Sequence, residues 1–239
     1  MHYVEKKLGQ YGWLFLVILL ICGGFINREV YGQQPLNTNV LKRTGNIIQN
    51  GSAEEINNRT KTIDYMKGLT SEKVINAPLH WSVYLGQGHV EWGTTKKETY
   101  SGDRSAFLTM KQKGKEGLIV GGLLQGVDGQ WNTGGGIYKA VLGIKYHISF
   151  WIKADIESEL KVIIWGYKDC QEGEDPRQWI NTSLGKEIVV TKNWKEYHGT
   201  FTLLPDTKTF AVLFSATIKK EDKYPLTYYI DDVQVVAEE

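Results

Sequence analysis

Lys145–Ala154 reads KYHISFWIKA. Tyr146, Ile148, Phe150, Ile152 and Ala154 recur at every second position, and His147, Ser149, Trp151 and Lys153 fill the positions between. In an extended chain, successive side chains point to opposite faces. The first set therefore makes an apolar face, and the segment is a strand with one side buried. Residues 159–168 behave alike: Leu160, Val162 and Ile164 share one face, and Ile163, Trp165 and Tyr167 share the other. Residues 195–204 contribute Tyr197, Phe201 and Leu203 to a core, and residues 209–218 contribute Phe210, Val212 and Phe214.

Strand-like runs continue on either side. From His80 onward, segments 80–84, 89–93, 105–111, 117–124, 136–142, 186–191 and 226–236 are rich in Val, Ile, Phe, Tyr, Trp and Thr. Glycine- or charge-rich turns separate most of them, and no sustained helical period interrupts the series. Short strands at this spacing predict an all-β domain, a two-sheet antiparallel jelly-roll β-sandwich. Ile47–Gln49 is a short strand candidate before the Asn50-Gly51 turn. Asn57–Asn76 reads as a long loop with a helical turn around Ile63–Lys67. Each large apolar side chain buried is worth roughly 1.5–3 kcal/mol, so about a dozen suffice to drive folding.

Lys6 and Lys7 precede an unbroken apolar run, Trp13–Cys22, WLFLVILLIC. That length suits the core of a secretory signal, about 7–15 residues, better than a spanning helix of about 20. Val30-Tyr31-Gly32 offers a cleavage site, which divides the chain into a signal peptide (1–32), a polar linker (33–48) and the sandwich (49–239). An uncleaved anchor and lipidation at Cys22 are the alternatives. The protein is expected to be secreted or held at the cell envelope, with no spanning helix in its mature part. Removing Lys6, Lys7, Arg28, Glu5 and Glu29 takes 28 basic and 27 acidic residues to 25 of each, a net charge of zero. No basic excess is left to hold nucleic acid. Cys170 is then a lone cysteine and forms no internal disulfide.

Six pieces stand in a telling order: Asn50-Gly51-Ser52-Ala53-Glu54; Trp81; Tyr100-Ser101-Gly102-Asp103-Arg104-Ser105; Tyr146–Ala154; Trp194-Lys195-Glu196-Tyr197 with Thr200-Phe201; and Tyr229-Ile230-Asp231-Asp232-Val233. Together they resemble the carbohydrate-binding modules of families four, nine and twenty-two, which share the galactose-binding-like jelly roll. The resemblance implies a β-sandwich with a structural calcium and, in many members, an aromatic-lined cleft on the concave sheet. It implies no single ligand. Ala53 stands where the family carries an aromatic, and the loop at 57–76 is long; both bear on the shape of the cleft.

For calcium, strand alternation puts Asp231 on a face with Tyr229, Val233 and Val235. A carboxylate aimed at a core needs compensation, which a hard cation with oxygen ligands supplies. Glu54 matches the family's first-strand acid, and the loop carrying Asp103 would complete the shell. For a glycan, Trp151, Trp165 and Tyr167 lie on non-core faces and are the expected stacking platform. Trp131, Tyr138 and Trp179 are neighbouring candidates, and Asn132, Gln178, Lys168 and Asp169 could bond hydroxyls. Asn50, Asn58 and Asn181 head glycosylation triplets. The mature chain has four histidines and shows no HExxH, no nucleophile elbow and no P-loop ending after Gly134-Gly135-Gly136. The expected function is non-catalytic carbohydrate binding, not enzyme action. The alternative is a structural or interaction subunit of an extracellular or envelope protein assembly.

Overall fold

The computed structural model describes residues 45–57, 61–64, 70–114, 117–126, 137–168, 180–219 and 222–238. The leader and most of the linker lie outside them. The described residues belong to one compact unit, Leu41–Glu239.

Two β layers face each other. The first runs β10 (Lys195–Phe201), β7 (Tyr146–Ala154), β12 (Leu226–Ala237), β4 (Ser105–Gln112), then β3 (Trp81–Thr95), with β2 (Thr70–Ile75) and β1 (Lys61–Asp64) beyond it. The second runs from β3 through β5 (Ile119–Gln125), β11 (Thr209–Ile218) and β8 (Ser158–Tyr167) to β9 (Ile180–Val190), with β6 (Tyr138–Lys139) on the end of β11. Pairing is antiparallel except between β2 and β3. This is the jelly-roll sandwich that the alternation predicts.

The layers meet through the residues whose periodicity marked them as core. Phe150 packs edge-on to Phe214 with ring centroids 5.0 Å apart, and Trp81 stacks on Phe214 at 6.4 Å. Tyr146 is stacked on Phe201 at 5.0 Å and tilted against Phe210 at 5.5 Å. Along β7, Tyr146, Ile148, Phe150, Ile152 and Ala154 are all buried, while the residues between them are half-buried. Ile48 is also buried, and Ile47 donates its amide to the Val235 carbonyl at 2.8 Å. Residues 46–48, placed in the linker by sequence, thus join the sandwich.

Three elements differ from expectation. Segments 80–84 and 89–93 are one strand, β3, which pairs with β5 through its first half and with β4 through its second. The strand changes layer at Gly88, whose φ is +79° and where a Cβ would lie 2.7 Å from the Gln112 carbonyl oxygen. Residues 61–64 and 70–75, read as loop and helical turn, are β1 and β2; Tyr65–Lys67 lie outside the described residues. Glu72 occupies an inward position on β2 and hides its alternation from sequence. It is buried at 4 % exposure and accepts a 2.9 Å hydrogen bond from the Trp92 indole. Finally, β9 begins at Ile180, upstream of the expected 186–191.

The Asn50 triplet is structural. Its Nδ2 donates to the carbonyls of Glu55 and Leu79 at 2.8 and 2.9 Å, and its Oδ1 accepts from the Glu55 amide at 2.9 Å. An N-linked glycan there would replace one of the two Nδ2 hydrogens and so cost at least one of the donor bonds.

Candidate functional site

The outer face of the second layer is apolar. Leu124, Tyr167, Ala211 and Leu213 form a second buried cluster, distinct from the core, and Tyr84, Ile163, Trp165 and Ile180 pack on it half-buried. Strand pairing places them side by side. Trp165 lies opposite Ala211 on β11 and Thr182 on β9, and Tyr167 lies opposite Thr209 and Ile180. Ile163 is opposite Leu213, which is opposite Leu124. The Tyr84 ring meets Trp165 edge-on, with centroids 5.5 Å apart at 85°. Burial pushes the phenols of Tyr84 and Tyr167 above the ordinary tyrosine range, as apolar surroundings require. Small residues, Ala211 and Gly122, stand beside these rings, and polar groups on Thr182, Ser215, Lys161 and Lys139 border them.

Trp151 is not part of this arrangement. β7 belongs to the first layer and β8 to the second, so their non-core faces look out on opposite sides. The expected single platform of Trp151, Trp165 and Tyr167 therefore divides in two, and Tyr167, 5 % exposed, is buried within the second cluster beneath the half-buried rings of Tyr84 and Trp165. Tyr138 is a core residue, 3 % exposed, tilted against Phe210. Its hydroxyl donates to Gln125 Oε1 at 2.9 Å and accepts from the Gln49 amide at 3.0 Å, so it has no open ring face for a ligand. Trp131, Trp179, Asn132, Asp169 and Gln178 lie outside the described residues, and Lys168 is exposed. Tyr84 was missed by sequence, although Ser82 and Tyr84 alternate with Trp81 and Val83 and so fall on the outer face.

The acids proposed for a metal share one task. Asp231 is 0 % exposed. A bulge after it, with Asp232 at φ +47°, shifts the phase of β12. Tyr228 and Ile230, then Val233 and Val235, face the core, and Asp231 falls on the outer face with Tyr229, not with Val233 and Val235 as strict alternation requires. There it lies under the loop that precedes β4. Its Oδ2 accepts the amides of Tyr100 and Ser101 at 3.0 and 3.1 Å, and its Oδ1 accepts the Asp232 amide at 2.8 Å. Glu54 Oε1 takes the amides of Asp103 and Arg104 at 2.8 and 3.1 Å. Two carboxylates thus fasten the two ends of one loop. Asp103 contributes its backbone, and among the described residues no three His, Cys, Asp or Glu side chains converge.

Among the described residues no cationic side chain pairs with Asp231. Desolvation pushes its carboxyl from 3.8 up to about 6, against the pull of the three amide donors. Gly102 permits the wrap: its φ is +57°, and a Cβ there would sit 2.1 Å from Glu54 Oε1. Gly102→Ala should destabilise the domain by about 1–3 kcal/mol, through backbone strain and displacement of Glu54. Urea unfolding checks this; an unchanged midpoint would show that the loop yields freely.

A jelly-roll sandwich with an aromatic cluster on an outer sheet face defines the general class of β-sandwich recognition modules. The family model for a carbohydrate binding domain matches residues 45–223, well over half of the chain, and the protein belongs to this family. No curated protein matches the chain. Among solved structures, a Stig cyclase from Fischerella sp. TAU is similar at 14 % identity and a TM-score of 0.51, covering 82 % of this chain and 98 % of that one. The enzymatically active domain of tailspike protein 4 from bacteriophage CBA120 is similar at 15 % identity and a TM-score of 0.50, covering 80 % of this chain and 21 % of that one. The CBM22-1 xylan-binding domain from Paenibacillus barcinonensis shares 15 % identity at a TM-score of 0.44, over 68 % of this chain and 88 % of that one. At these identities the likeness is one of fold.

Proposed function

We propose that the protein is an exported, non-catalytic module that binds a poly- or oligosaccharide on the outer face of its second layer. The observation that carries this reading is the edge-on pair of half-buried rings, Tyr84 and Trp165, seated on the buried apolar cluster of Leu124, Tyr167, Ala211 and Leu213 on the outer side of the second layer. Sugar rings present C–H faces to aromatic planes, and the bordering Thr182, Ser215 and Lys161 can exchange hydrogen bonds with hydroxyls. Affinity electrophoresis and isothermal titration against xylan, β-glucan, mannan and pectic polymers test it. Retention by at least one polymer is expected; silence across the panel, with a stoichiometric protein partner in its place, would favour the assembly subunit.

The same proposal includes a structural calcium at Glu54 and Asp231, with carbonyls of the Ser101–Arg104 loop. The chemistry supporting it is a fully buried carboxylate that faces no cationic side chain among the described residues. A cation there would neutralise Asp231 and tie the loop to β12. Chelation should lower the melting temperature by several degrees and added calcium should restore it; an unmoved transition would count against the site. Export rests on the leader sequence. No helix among the described residues is long and apolar enough to cross a membrane. N-terminal sequencing of secreted protein should start at Gln33, and a start upstream of Arg28 would reject the proposed cleavage.

A further inference from the structure

The outer face of the first layer carries aromatic rings of its own. Tyr100 lies flat on Trp151, with ring centroids 3.6 Å apart at 11°, and Trp194 is tilted at 58° to Tyr100 at 6.1 Å. Tyr100 remains 42 % exposed in spite of the stack. Strand pairing extends the surface: Tyr229 on β12 lies opposite Lys153 on β7 and Phe107 on β4, and Glu196 on β10 lies opposite Trp151. Trp194 precedes Lys195, the partner of Ile152, and so heads the row that holds Lys153. Two of these rings, Trp151 and Tyr100, cover each other and account for the anchoring of the loop. Trp194 and the outward side of Tyr100 are not needed for that, and at 58° they form an angled pair of apolar planes.

Charged groups border this pair. Lys153 Nζ is 2.7 Å from Glu98 Oε2 and 5.8 Å from the centre of the Tyr229 ring. Glu196 pairs with His198 at 3.2 Å. The rings therefore sit beside two carboxylates and one ammonium, which can accept hydrogen bonds from sugar hydroxyls and donate to them.

We propose a second saccharide site on this face, formed by Tyr100, Trp194 and Trp151 with Glu98, Lys153 and Glu196, that takes a hydroxylated sugar ring. The inference extends the proposed function, because with both faces competent one molecule would bridge two glycan chains. The sites look out on opposite sides of the sandwich, so neither blocks the other.

The test uses protein expressed from the full-length chain, with Trp165→Ala, Trp194→Ala and Tyr100→Leu compared by isothermal titration with xylohexaose, cellohexaose and β-1,4-galactotriose. Thermal melts check folding, and Glu196→Gln, a change on an exposed edge strand, serves if the aromatic variants melt early. The expected result is two sites per chain, one lost in Trp194→Ala and the other in Trp165→Ala. Wild-type protein should then turn a solution of the matching soluble polymer turbid, and either variant should not. One site per chain, lost in Trp165→Ala and intact in Trp194→Ala, Tyr100→Leu and Glu196→Gln, overturns this inference and leaves the proposed function standing. One site that is lost only in Trp194→Ala does the reverse. No binding by wild-type protein rejects both.

Discussion

Replacing Phe214 by alanine should remove about 3–5 kcal/mol of folding stability. Phe214 is 0 % exposed and touches rings from both layers, Phe150 edge-on at 5.0 Å and Trp81 in a stack at 6.4 Å. Truncation leaves a void between two sheets that are held by hydrogen bonds within each layer, so neither can close the gap cheaply. For a domain of this size the melting temperature should fall by roughly 6–20 °C. Thr217 lies on the same strand and is exposed, and Thr217→Ala should change stability by no more than about 0.5 kcal/mol. Urea melts of the two variants separate these outcomes. Equal losses would mean that Phe214 does not join the layers.

The fold was legible because most core strands keep a strict period of two. Tyr146 to Ala154 and Phe210 to Phe214 needed nothing beyond alternation. Legibility failed where something other than side-chain pattern sets the strand. β2 carries Glu72 inward because Trp92, on the adjacent parallel strand β3, supplies the hydrogen bond. β3 turns from one layer to the other through glycine without breaking, so two apparent strands are one. At Asp231 an extra residue in the ladder inverts the faces, and alternation alone assigns the acid to the wrong side of the sheet.

Which rings avoid the core side of their strands was legible, but which of them share a face was not. Sequence shows that Trp151, Trp165 and Tyr167 avoid the core face of their strands. It does not show that β7 and β8 sit in different layers, because a short turn can join strands within a layer or across two. Tyr138 has the composition of a ligand ring, yet Gly126 brings the chain so close that a Cβ there would lie 2.3 Å from the ring; the residue is packed inside. Tyr84 and Tyr100 acquire their neighbours only from the three-dimensional path of β3 and of the loop before β4.

Trp165→Ala is expected to weaken glycan binding roughly 30- to 1,000-fold, the range for losing a central aromatic anchor worth about 2–4 kcal/mol. The ring is half-buried on the second cluster and lies outside the main core. Its removal should therefore cost far more affinity than stability. Ala211 and Thr182, its cross-strand neighbours, are too small to replace the apolar plane. Titration of wild type and variant with the polymer retained in affinity electrophoresis measures the loss, and thermal melts provide the control. A variant that binds within a factor of two of wild type would exclude Trp165 as an anchor.

The most direct measurement is an amide and indole NMR titration of isotope-labelled protein with xylohexaose, cellohexaose and β-1,4-galactotriose. Saturable shifts are expected at the Trp165 indole and at the amides of Tyr84, Tyr167 and Thr182, with core amides such as those of Ile152 and Phe214 unmoved. Unchanged spectra at those positions with every sugar would contradict the assignment of the second layer's outer face as a saccharide site.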